Sequence, residues 1–495
     1  MSFAQITTSD GQVSGVDDLS TAASSVINWE TDDAGVNRPR PGLAAYSVTD
    51  LGATAVNGLD RWLQYMVVTT TDGSVYAVHE DSPTQAIVLS HDNIPPTTLG
   101  NTLSVRSHLS GGKRPTFVEG EEAIYITAGD LIHYWQPGNN ISVGGGVHVV
   151  SLNYWGSGPR CTHIAGIGQR MVANDIDEPN SFRWSELGEG EWTSWPADNS
   201  SDPDARPDPV SGVFENANQL FVFGSSSLQI YQVGTDPNNP FDLVSALNTG
   251  LLAPYCIVRV DDDFYYLDDK LRIVNTNGRG QSPVSDAIQR DLRNLSVVED
   301  SWAYRLEQGQ KSQLGFVFPT DKRCFMFDLK NQAWHEQDYY ANGMQSGYPA
   351  GGFAYWPALN KHFVGSSLSA GGLYTLDATS RQDIGGALVC ERTTGWHDHG
   401  SKNRKRGGRI RITMRRGTAA DSTPASGALE VRVQDDDKPW SPWRSIPIGG
   451  PGDFKSRIDV WTAGIFTRRR YGFRFSTTED ISLVEAFDDI TELAA

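Results

Sequence analysis

Along most of the chain, short runs of β-branched and aromatic residues are broken by Gly, Asp, Asn or Pro. Seven stretches share this pattern: Gly73–Glu80, Ile124–Trp135, Arg170–Trp195, Gln219–Val233, Asp263–Ser285, Gln313–Asp338 and Lys361–Asp377. Their starts are spaced by about 40–50 residues, the period of four-stranded propeller blades. Helical periodicity is nearly absent. The best case is Ser285–Leu295, with Ser285 as N-cap and Ile288, Leu292 and Leu295 on one face. The pattern predicts an all-β fold: a β-propeller of six or seven blades with a C-terminal β-sandwich-like module.

The expected organisation is an N-terminal extended segment over 1–45, a propeller over 46–385 and a C-terminal β module over 386–495. In the last, Arg409–Met414, Leu429–Val433 and Tyr471–Ser476 alternate apolar and polar residues, as half-buried strands do. Two loops stand out. Gln136–Gly146 carries Asn139 and Asn140 and a run of three Gly. Pro196–Gly212 packs in four Pro and four Asp, among them Asp202, Asp204 and Asp208. Such composition is foreign to a sheet interior. Both loops are expected to project from the ring and to make inter-subunit or luminal contacts.

Composition sharpens this picture. The 50 Gly and 25 Pro suit a turn-rich chain, and 14 Trp suit pleated surfaces. The net charge of −19 is unevenly spread. Residues 381–495 hold 19 Lys+Arg against 16 Asp+Glu, or +3; the rest hold 22 against 44, or −22. An acidic body argues against gripping a duplex by phosphate neutralisation, but not against a conduit through which DNA slides. Cys161, Cys256, Cys324 and Cys390 form no CxxC pair, so they read as buried free thiols. The first residues have no basic or apolar signal regions, and no apolar run approaches ~18 residues. These readings predict a soluble protein made in the cytoplasm, without a membrane span.

No catalytic motif accompanies the repeats. Gly111-Gly112-Lys113-Arg114 fails the phosphate-loop pattern, and Gly166-Ile167-Gly168 lacks a third Gly. Neither HExxH nor GxSxG occurs. His397-Asp398-His399 could offer two imidazoles to a metal, with no third ligand nearby. Asp261–Asp263 and Asp435–Asp437 lack calcium-loop spacing. The segments 183–195 and 434–441 look like degenerate sialidase-type Asp-box turns, which keeps a carbohydrate-active propeller, a spike-associated glycosidase or lectin, as the alternative. The expectation is a non-enzyme without cofactor.

The strongest local charge is the run Lys402, Arg404, Lys405, Arg406, Arg409, Arg411, Arg415 and Arg416, with Arg468-Arg469-Arg470 as a second. A solvated face, nucleic-acid binding and docking to an acidic protein are the three readings. Aromatic interleaving is missing along the run, which disfavours single-strand stacking.

Asn238-Asn239-Pro240-Phe241, Gly250-Leu251-Leu252-Ala253-Pro254-Tyr255, Phe264–Leu267 and Ser282-Pro283 occur in order. Val317-Phe318-Pro319-Thr320, Cys324–Leu329, Ala333-Trp334-His335-Glu336, His362–Gly365 and Gly372–Asp377 follow. Together with Asn28-Trp29-Glu30 and Arg40-Pro41-Gly42-Leu43, this set resembles the packaged-DNA stabilisation proteins, or tail nozzles, of short-tailed bacteriophages. The resemblance spans roughly residues 25–380, and the C-terminal module departs most.

The resemblance implies a structural virion protein of the phage tail, assembled in host cytoplasm. It implies a hexameric homo-oligomeric ring below the portal and adaptor, which extends the DNA channel and retains packaged DNA. Double-stranded DNA would pass through the lumen without specific binding, and a tail needle or plug and tail spikes or fibres would dock outside. On this reading Arg404, Lys405, Arg406, Arg409, Arg411, Arg415 and Arg416 are candidate partner-docking residues facing away from the lumen.

Overall fold

The fold is that of a computed structural model. It describes residues 2–6, 25–31, 37–48, 51, 54–90, 98–99, 102–103, 109, 112–136, 140–142, 148–151, 153–154, 158–188, 192, 194–203, 208–309, 311–341, 343–368, 372–416, 428–447, 455–477 and 481–493.

Among these residues, seven blades built on four antiparallel strands follow one another, the last two joined into one continuous sheet through strands of the C-terminal module. Blade 1 begins at Val56–Trp62, blade 2 at Thr116–Glu119 and blade 3 at Ile164–Ile167. Blade 4 begins at Val210–Asn216, blade 5 at Ile257–Val260, blade 6 at Trp302–Gln308 and blade 7 at Ala350–Trp356. The middle strands explain the sequence pattern. Residues in Arg170–Asn174, and nearly all in Tyr65–Thr70 and Gln219–Gly224, are buried on both faces, because each blade is covered by a neighbour on either side. They therefore read as continuous apolar runs rather than as alternation. Seven apolar clusters fill the seven gaps between neighbouring blades, including the gap between the last blade and the first.

The ring is closed by the start of the chain. Gly42–Tyr46 pairs antiparallel with Leu373–Asp377 as the outermost strand of blade 7. This strand crosses the expected boundary at residue 45. A Cβ on Gly42 would sit 2.4 Å from the Gln382 carbonyl, so only glycine allows this approach. Within the expected N-terminal extended segment over 1–45, the described residues Ser25–Ile27 and 42–45 are thus paired in sheets.

The C-terminal module is a sandwich. One sheet carries Gly386–Thr393, Ala428–Asp435, Arg444–Pro447 and Arg469–Thr477; the other carries Lys405–Arg416, Lys455–Trp461 and Ile481–Glu492. Ile410, Ile412, Met414, Leu429, Val431, Tyr471, Phe473 and Phe475 fill the space between them. Ser25–Ile27 joins the sandwich to the propeller, pairing antiparallel with Gly386–Thr393 and parallel with blade 6 at Glu336.

A buried polar buckle locks this joint. Asn28, at a left-handed φ of 60°, donates through Nδ2 to the carbonyls of Asp338 (2.9 Å) and Val389 (2.7 Å). Its Oδ1 accepts from the Asp338 amide and from Arg40 Nε. Arg40, 1% exposed, forks onto Asp383 at 2.5 and 3.1 Å. Burial works against its charge, but the Asp383 carboxylate, with smaller help from Tyr348 and Cys390, holds the guanidinium well above its ordinary pKa. All four cysteines are buried and free, and burial pushes Cys161, Cys256 and Cys324 up to about 12.

Two loop expectations are corrected. Within Gln136–Gly146, Asn140–Ser142 is a strand paired with His148–Ser151, which adds in parallel to the outer strand of blade 1. Within Pro196–Gly212, Ser200–Ser201 is the outer strand of blade 3 and Val210–Gly212 opens blade 4. Both stretches therefore contribute to the sheets. The short helix is present as Asp286–Ile288 followed by Gln289–Arg293, with Ile288 and Leu292 buried. Ser285 does not cap it; its hydroxyl accepts instead from the Ile273 amide.

Candidate functional site: the closed axis and the basic face

The first strands of all blades face the axis, and there the channel is stoppered. Pro115 leads blade 2 inward, packed so tightly on Gly58 that a Cβ there would lie 2.2 Å from its ring. Arg114, just before it, reaches across to blade 6, where its guanidinium carbon stands 4.0 Å from the Trp302 ring centroid. Tyr255 precedes blade 5, and its carbonyl accepts from the Ala303 amide. His163, 1% exposed, sits against Phe214 (5.4 Å) and Tyr255 (4.8 Å). Tyr304 stacks on Phe353 at 4.6 Å. What remains is a cavity of about 460 Å³, the size of a ligand pocket rather than of a DNA channel.

The stopper is electrostatically unusual. Burial lowers the Arg114 guanidinium to about 9, and raises Asp60, in the same cavity wall, to about 7. Burial also holds His163 down near 4. Its Nε2 lies 3.0 Å from the Pro254 carbonyl, which can only accept, so Nε2 carries the proton. Its Nδ1 then accepts from the Thr162 hydroxyl at 2.9 Å.

The second basic run is paired with groups of the sandwich's own strands, Arg469 buried and Arg468 toward solvent. Arg469 pairs with Asp435, Arg468 with Asp437, and Asp436 accepts from the Thr467 and Arg468 amides. The two charge runs of the sequence are cross-strand partners. Beside them runs a ladder of cations and indoles: Arg468 and Arg470 flank Trp396, Arg470 and Arg432 flank Trp440, and Arg432 and Arg474 flank Trp443. Aromatic interleaving exists across strands, where a search along the chain misses it.

The first basic run divides. Lys405 is 1% exposed, and its ammonium donates to the carbonyls of Ser401, Asn403 and Thr467. It is a structural residue and leaves the docking set. Arg409 and Arg411 share Asp459 at 3.4 and 3.2 Å. Arg404 and Arg406 are exposed. The side chains of Arg415 and Arg416 lie outside the described residues, although their backbones pair in the sheet. Beside this face, Trp461 is 67% exposed next to Arg409, and Ile465 is 43% exposed opposite Arg406.

The loop candidates fare differently. Asp208 is 8% exposed and accepts from the Ser226 amide and the Ser227 hydroxyl, so it ties the connection from blade 3 to the Ser225–Ser227 turn within blade 4. Asp202 is exposed. Asn139, Asp204 and the side chain of Asn140 lie outside the described residues.

The family model described as "Bacteriophage P22 Gp10, beta-propeller", of phage stabilisation proteins, matches residues 100–381. The chain belongs to this family. It is a phage tail-associated protein of the packaged-DNA stabilisation class, a structural virion component. No curated protein matches the chain. Among solved structures it is similar to the computationally designed protein Ika8, at 10% identity and a TM-score of 0.39 over 68% of this chain and 100% of that one. It is also similar to the extracellular domain of a hybrid two-component system from B. thetaiotaomicron, at 8% identity and 0.40 over 68% and 40%. A third is the N-terminal domain of Nup159, at 8% and 0.36 over 72% and 99%.

Family membership gives the signature residues a physical meaning. Gly250 is pressed on the Ser225 carbonyl, 2.1 Å from where a Cβ would stand. Pro254 and Tyr255 build the stopper, and Trp334 packs between blades 5 and 6. Arg114 and Trp302 carry no sequence signal as a pair: they lie far apart in the chain, and Arg114 stands out only as part of a failed phosphate loop.

Proposed function

We propose that several copies assemble into the tail nozzle: a ring, hexameric by resemblance, that extends the DNA channel below portal and adaptor. This ring helps retain packaged DNA and carries needle and fibres on its outside. The single observation that shapes the proposal is the Arg114–Trp302 contact across the propeller axis. One propeller cannot be the conduit, since a duplex whose major groove alone is about 12 Å wide does not enter a closed axis. The lumen must then lie between copies, walled by propeller exteriors. The charge of −22 on residues 1–380 suits such a wall, because phosphates are repelled rather than held. The face bearing Arg404, Arg406 and Trp461 suits an outward docking surface for an acidic neighbour, which could be the adaptor ring or a tail appendage.

Negative-stain microscopy of the purified protein, alone and with portal–adaptor complex, tests this. The expected image is a closed ring with its hole between subunits, capping the adaptor. Monomers that never cap the adaptor, at any concentration tried, would refute it.

A further inference from the structure

We propose that the axial cavity is a binding site for a small monocarboxylate with a flat or apolar body. The walls supply the apolar part: Phe117, Phe214, Tyr304 and Phe353 all line the cavity. The polar part is donor-rich. Among the described residues, the Arg114 guanidinium makes no hydrogen bond or ion pair, and it stands over the Trp302 ring with its carbon 4.0 Å from the centroid. The Trp302 indole N–H, in a side chain 4% exposed, also lacks an acceptor. Of the titratable groups, only the Tyr255 phenol is near enough to Arg114 to act on it. Asp60, the carboxylate of the wall, accepts from its neighbouring Arg61 amide and senses Glu119 and Arg61 rather than Arg114.

Arg114 is half-buried; a cation drawn partly out of water without a partner is costly, and an entering anion relieves that cost. A guanidinium stacked by one face on an indole keeps its N–H edge free, and that edge matches a carboxylate in fork geometry. A volume of about 460 Å³ leaves room for more than a bare ion. The site stands apart from the DNA-retaining role, because it lies on the axis of one chain and not between chains.

The test uses the full chain in carboxylate-free buffer. Trp302 forms the site, so tryptophan fluorescence reports occupancy. Sodium benzoate is the probe and benzylamine is its cationic counterpart of similar shape. The expected result is a saturable change with benzoate, one site per chain by calorimetry, and none with benzylamine. Arg114→Met should weaken benzoate by about tenfold or more while leaving the fold intact. Should that variant not fold, Arg114→Lys keeps the charge and loses the fork, and several-fold weaker binding is expected. Three results would overturn the proposal: no saturation by benzoate up to millimolar concentration, equal binding of benzylamine, or unchanged affinity in the folded Arg114 variant.

Discussion

Asp435 and Arg469 are register partners on adjacent strands of the sandwich, with Arg469 Nε 2.5 Å from Asp435 Oδ1. Arg469 is fully buried, and it also reaches Thr462 and the Ala463 carbonyl. Removing one member of such a pair strands the other's charge. Asp435→Ala or Arg469→Ala should each cost about 3–5 kcal/mol, read from urea denaturation. A loss below about 1 kcal/mol in both would show that the pair is solvated and loosely held.

The basic run should respond unequally to charge reversal. Lys405→Glu places a carboxylate against three carbonyls and should destabilise the chain by about 3 kcal/mol or more. Arg404→Glu with Arg406→Glu should change stability by less than about 0.5 kcal/mol, since both side chains are exposed. On the proposed function, that double variant weakens adaptor capping in a salt-sensitive way. Thermal melts of the two variants side by side, with pull-down of portal–adaptor complex at two salt concentrations, separate the roles.

Asn28 holds four groups from two domains and sits at φ 60°. Asn28→Ala should cost about 3 kcal/mol or more, through unmade bonds and left-handed strain. Asn28→Gly relieves the strain but not the bonds, and should recover only about 1 kcal/mol of that loss. Full recovery in the glycine variant would assign the whole effect to backbone strain. Chemical denaturation of the three proteins decides.

Acid should act in part through His163, alongside the other histidines whose pKa burial lowers, His335, His362, His397 and His399. Burial keeps it neutral in the folded chain, down to about 4, while an unfolded histidine takes a proton near pH 6.5. The unfolded state therefore binds more protons between these values. Stability is complete above about pH 6.5 and is lost as pH falls toward 4, by up to about 3 kcal/mol. His163→Phe should flatten this slope whatever it does to stability at neutral pH. Denaturation midpoints of both proteins at pH 4.5, 5.5 and 7 give the comparison, and parallel slopes would exonerate His163.

The seven middle strand pairs were legible because burial on both faces writes continuous apolar runs. The outer strands were not. Ser200–Ser201 is two polar residues inside a Pro- and Asp-rich stretch, and Gly42–Tyr46 pairs with a partner more than 300 residues away. Nothing local distinguishes such strands from loops. Charge runs were equally visible and equally ambiguous. Position in sequence shows that Asp435–Asp437 is acidic and Arg468–Arg470 basic, but only strand pairing shows that each neutralises the other. Lys405 looked like its neighbours in the run, and alternation across a sheet turned it inward. The Arg114–Trp302 contact needed the ring to be closed before its two ends could meet.

The closure of blade 7 by Gly42–Tyr46 also orders events in time. Arg40 and its partner Asp383 stand 343 positions apart. At about 5–20 residues per second, roughly 17–70 s of translation separate the first from the second. Throughout that interval the ribosome displays an early strand with no mate and a growing row of blades with an open flank. Such edges invite pairing with other nascent chains. The ring cannot close until the last blade has been made, so its open flank is exposed for as long as synthesis lasts.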